Sequence, residues 1–237
     1  MKLWLAAFAA ILMLASSARA DLRNALEAAF AAGNIKQLMS IIASQKDVAG
    51  EQQVAAWTKE KIATGEAPAQ TALLAASAAM RVGKPNDALM YVAYYGAQAL
   101  IDGSTCADKT AGGNKIMVAM LLFHKVVEAR HVSPDRQRDA VERALNLENA
   151  TAGKRMVDRS LCEGGLGSYA RDLHLKLPAP ANPAGLQQQD KVPPLRYVDS
   201  KDWRENRAKV LPRVKEILLF MAGDAKQRKP SGVPAAH

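Results

Sequence analysis

The sequence predicts an all-α protein: antiparallel helical hairpins stacked around a central apolar helix. Three observations carry this. The chain is rich in alanine, the best helix former. Apolar residues recur three and four positions apart along most of its length. The period-two alternation of Val, Ile and Thr that marks strands is missing.

The first twenty residues, MKLWLAAFAAILMLASSARA, stand apart. Lys2 gives a positive start, Leu3 to Ala15 is an apolar run, and Ala18-Arg19-Ala20 places small residues where a signal peptidase reads. This pattern predicts a cleavable signal peptide over 1–20 and export to the periplasm. Removing it leaves 217 of 237 residues and, with Lys2 and Arg19 gone, lowers the formal net charge from +9 to +7. A core domain is expected over 21–175, a proline-rich connector over 176–198, a C-terminal helix over 199–223 and a disordered tail over 224–237.

Asp21 is expected to cap a first helix carrying Leu22, Leu26, Ala29 and Phe30, which Gly33-Asn34 ends. A short helix over about 35–45 and another over about 51–63, with Val54, Trp57 and Ile62 on one side, follow. Pro68 then opens a helix over about 67–82, and Asn86 or Asp87 caps its partner over about 86–101. Gly83-Lys84-Pro85 between them reads as a tight helix–helix turn, and facing alanines allow close approach.

Gly83 and Ala88 stand five apart, with Val92 and Tyr95 at later packing positions. Over residues 67–101 this resembles the tetratricopeptide superfamily of helical repeats. The resemblance implies a right-handed stack of antiparallel helices used for protein contact. Ala72 and Ala79 stand where large aromatics are usual in that family, and no second copy follows at its period.

After a polar loop, Asn114 is expected to cap a helix whose stretch Ile116–Val127, IMVAMLLFHKVV, is apolar almost all round and so predicted to lie at the centre. It is too short to span a membrane. Ser133-Pro134 opens the next helix, striped by Ala140, Val141, Ala144 and Leu145. A last core helix is expected over about 151–162. Beyond the connector, Val210, Leu211, Val214, Ile217, Leu218 and Met221 keep helical spacing, with Pro212 kinking or restarting the helix.

The two cysteines, Cys106 and Cys162, read as one intramolecular disulfide in an oxidising compartment. The 57-residue loop it closes is worth about 4 kcal/mol in the chain-entropy description. A catalytic thiol or a shared metal are the alternatives, and the usual haem and zinc spacings are missing. His124 offers a buried general base, a hydrogen-bonded core histidine or the edge of the apolar stripe, and His131 a cation at a helix C-terminus. Gly164 to Gly167 reads as a helix stop rather than a phosphate loop. Asp102, Ser104 and Asp108 offer oxygens without calcium-loop spacing, and Glu128 and Glu142 are separate acids without a motif. Asn149-Ala150-Thr151 matches a glycosylation triplet.

Basic residues are dispersed and aromatic residues make up only 5% of the chain, which argues against nucleic acid. No cofactor is expected. The expected function is a non-catalytic protein-binding module, of inhibitor or immunity type, for another periplasmic or envelope protein. The alternative is a cell-envelope hydrolase or transferase with a histidine or carboxylate base.

Overall fold

The computed structural model describes residues 20–65, 67–106, 110–155, 158–162 and 200–223. Residues 1–19, the 176–198 connector, the 224–237 tail, Gly164–Gly167, Asp108, His174 and His237 lie outside them. The described residues are helical and contain no strand. None of their helices is long and apolar enough to cross a membrane.

Helix α1 covers 20–31, so Asp21 lies inside it rather than capping it. Gly33, at φ 63°, turns the chain. Helix α2, Ile35–Ser44, is capped by Asn34, whose side chain accepts from the Gln37 N–H. Helix α3, Val48–Thr64, begins earlier than its apolar spacing suggests because Asp47 caps it, accepting from the Gly50 N–H at 2.8 Å. These helices share a small core of Leu26, Ala29, Leu38, Ile42, Val54 and Trp57, joined by Ala78 of the next helix. Phe30 meets Trp57 edge-on at 5.6 Å, and the Trp57 indole N–H donates to Glu27 at 3.0 Å.

Helices α4, Gln70–Arg81, and α5, Pro85–Gly103, form the expected hairpin. Gly83 makes the turn at φ 73°, a conformation that side chains disfavour. Pro85 is the first helical residue of α5, and neither Asn86 nor Asp87 caps it. Helix α6 is Thr110–Arg130, α7 is Pro134–Thr151 with Ser133 in the N-cap position, and α8 is Ser200–Met221.

The centre of the fold is α5, not the 116–127 stretch. Every residue from Ala88 to Gly103 except Leu100 is buried, whereas α6 leaves Met117 and Leu121 exposed at 67% and 57%. Small residues explain the difference. A Cβ on Gly96 would lie 3.1–3.3 Å from Ile116, Ala119 and Leu218, so this glycine lets α6 and α8 approach α5 together. Helices α4, α6, α7 and α8 all pack on α5. The C-terminal helix therefore docks on its own core, burying Val214, Leu218, Leu219 and Met221.

The expected helix over 151–162 is not formed. Helix α7 runs to Thr151, the chain turns through 152–154, and among the described residues beyond that turn Arg159–Cys162 makes a short 3-10 turn. Cys106 and Cys162 are disulfide-bonded, with Cα atoms 5.4 Å apart. The bond ties that turn to the segment between α5 and α6.

Candidate functional site

Buried charge gathers where α5, α7, α8 and the turn after α7 converge. The Arg155 guanidinium donates to both oxygens of Glu148, at 3.1 and 2.8 Å, and to Asp102 at 2.7 Å. All three side chains are almost wholly buried. Asp102 also accepts from the Asp158 backbone N–H at 2.9 Å, and Asp158 in turn accepts from the Ala69 N–H. From α8, Arg207 donates to Glu148 at 3.3 Å and to Asn149 at 2.8 Å. Tyr94, Thr151 and Gln98 continue the polar cluster, with the Tyr94 hydroxyl 3.0 Å from that of Thr151 and accepting from Gln98.

Most of this set is bound to itself, and among the described residues the buried Asp102 Oδ1 and Gln98 Oε1 have no hydrogen-bond partner. Burial pushes the Asp102 carboxyl above the ordinary range, against the pull of Arg155. Burial alone would lower Arg155, but Asp102 and Glu148 more than offset it and raise its affinity for the proton. Burial also moves Tyr94 up to about 12. The cluster holds the turn after α7 against the core, and it settles two sequence readings. Asp102 is engaged by Arg155 rather than grouped with Ser104, whose hydroxyl donates to the Ile101 carbonyl. In the glycosylation triplet, Asn149 is exposed and accepts from Arg207, while Thr151 is buried with its hydroxyl donating to the Leu147 carbonyl.

The histidine expectations change with the packing. His124 is exposed on α6 and is not a core residue. His131 sits past the end of α6 at φ 49°, and Val132 N–H donates back to the Val127 carbonyl, closing the helix. Glu128 and Glu142 are both exposed, on different helices. Among the described residues no three His, Cys, Asp or Glu side chains are grouped to hold a metal ion. Sequence reading misses the Asp102–Arg155–Glu148 cluster. Its available signal is an aspartate ending the apolar run of α5.

The described residues include two open grooves of note. One, of about 610 Å³, lies between α7 and α8, with Leu145, Leu211 and Pro212 inside and Glu142, Asn146 and Lys215 around them. Arg207 faces it but is held by Glu148 and Asn149. The other, of about 340 Å³, lies between α4 and α6 over Val92 of α5. Leu73, Ala76, Ser77 and Met80 form its α4 wall, with spacing i, i+3, i+4, i+7. Leu122, Lys125, Val126 and Ala129 form its α6 wall, and exposed Val118 extends that stripe by one turn. Among the described residues its lining is apolar apart from Ser77 and Lys125. Such a surface binds by burying apolar area and offers a single cation for orientation.

Compared with family models, with curated proteins and with solved structures, the chain matches none.

Proposed function

We propose that this chain is an exported, non-catalytic protein-binding module of the periplasm. In this reading residues 1–20 are its signal peptide, and it neutralises or escorts another periplasmic or envelope protein as an inhibitor or immunity protein does. The observation that carries the reading is the α4–α6 groove, continued outward by the exposed Met117, Val118 and Leu121. A contiguous exposed apolar patch on a folded chain is a mark of an interaction surface. The α4–α5 hairpin, with its glycine turn, supports the tetratricopeptide-like interpretation of that surface. The disulfide is consistent with an oxidising compartment. The exposed positions of His124 and His131 lend no support to the hydrolase alternative.

The test is affinity capture from periplasmic extract with the wild-type protein and a Ser77→Asp/Lys125→Glu variant. Both positions are exposed, so the fold should tolerate the changes. One stoichiometric protein captured by the wild type and lost by the variant is the expected result. Capture of none, or of the same protein equally by both, contradicts the proposal.

A further inference from the structure

We infer that the α4–α6 groove takes a helix of the partner, amphipathic and carrying carboxylates beside its apolar stripe. This deepens the protein-binding reading above and rests on it.

The walls select a helix over an extended segment. Both are helices whose backbone groups bond within themselves, and among the described residues the only side-chain polar groups in the lining are Ser77 and Lys125. An extended peptide buried there would leave its own N–H and C=O groups without partners. A helix arrives with those groups already bonded and presents only side chains. Helices α4 and α6 each pack on α5 rather than on each other, so a fourth helix would seat between them above Val92. The α6 stripe from Val118 to Ala129 is about 17 Å long, which matches about three turns of an incoming helix.

Charge selects the partner's polar face. Helix α4 holds no carboxylate, and α6 holds only Glu128. Lys125 lines the groove, and Lys115 and Arg130 lie on the same helix. Among the described residues these three cations have no ion-pair partner, whereas Arg81 of α4 is engaged by Glu51 and by the Ile42 carbonyl. Carboxylates on the partner would complement this field and orient the helix. A flat anionic bilayer fits less well. It would meet the outward Met117 and Leu121 but leave the recessed Leu73, Met80 and Leu122 unfilled.

The test is selection from a display library of amphipathic helices of about 18 residues, with randomised charged positions, against the purified wild-type protein. Winners should be rich in Asp and Glu beside an apolar stripe. Their affinity should fall about tenfold with Lys125→Glu and recover when one peptide carboxylate is exchanged for lysine. Gly113→Ala, outside the groove, should leave affinity unchanged. Basic winners, winners indifferent to Lys125→Glu, or no winners would overturn the inference. So would binding to phosphatidylglycerol vesicles, or self-association, that Leu121→Asp abolishes. If display fails while periplasmic capture still yields one partner that the Ser77→Asp/Lys125→Glu variant loses, the helix inference falls and the protein-binding reading stands.

Discussion

The Cα of Gly112 occupies the place where a side chain on Gly103 would have to begin. A Cβ on Gly103 would lie 2.7 Å from that atom, inside any van der Waals contact. The end of α5 and the start of α6 therefore touch backbone to backbone, next to the cysteine that ties the following turn to them. Gly103→Ala should cost about 1–3 kcal/mol, as overpacking does. Gly113→Ala, one residue beyond the contact with nothing within 4 Å, should gain about 0.5–1 kcal/mol by raising helix propensity. Urea unfolding of the two variants checks the opposite signs.

Arg155 neutralises two carboxylates that water does not reach. Replacing it by methionine would leave Glu148 with only Arg207 and Asp102 with no cation. The expected loss is about 3–5 kcal/mol, the usual cost of breaking a buried pair from one side. Arg138→Met, at an exposed pair with Asp135, should change stability by less than about 1 kcal/mol. Thermal melts of both variants measure the contrast.

Much of this architecture is legible in the chain. Apolar residues locate α2 and α4, the nearly all-apolar run locates α6, Gly83 marks the hairpin turn, and Cys106 and Cys162 pair as their even number predicts. Which helix is central is harder to see. Helix α5 carries Tyr91, Tyr94, Tyr95, Gln98 and Asp102, so it looks less apolar than α6. Its alanines and Gly96 nevertheless let four helices close around it. The ionic cluster is illegible for another reason. Asp102, Glu148, Arg155 and Arg207 come from four places in the chain, and in sequence Glu148 resembles any solvated helix acid. The α4 wall of the groove is visible in sequence only as a run of alanines with Leu73 and Met80.

The disulfide and Arg155 hold the same stretch, from the turn after α7 to Cys162. Changing both cysteines to alanine should cost about 2–5 kcal/mol. Combined with Arg155→Met, the losses should not add, because either change alone frees part of the same segment. A double-mutant cycle by chemical denaturation gives the coupling. Strict additivity would show that the two fastenings act independently.

Glu27 provides a pH probe of the small N-terminal core. Its hydrogen bond with Lys61, then that with the Trp57 indole, holds the carboxyl below the ordinary range despite some burial. The folded form thus keeps its charge to lower pH than the unfolded chain does. Its stabilising contribution is present above the unfolded value of about 4.3, and is lost as pH falls through the folded one. In a Trp4→Phe/Trp203→Phe background, Trp57 fluorescence should titrate below the ordinary glutamate value, and Glu27→Gln should remove that transition. A midpoint above the ordinary glutamate value would contradict the Lys61 pairing.

The groove between α4 and α6 is tested most directly by a photo-crosslinking residue placed at Ser77, inside it, and in a second protein at Lys209, exposed on α8. Both proteins are irradiated in the intact cell. A discrete adduct with one other protein from position 77, and none from position 209, is expected. An adduct from position 209 alone, or from neither position, would contradict the assignment of that groove as the binding surface.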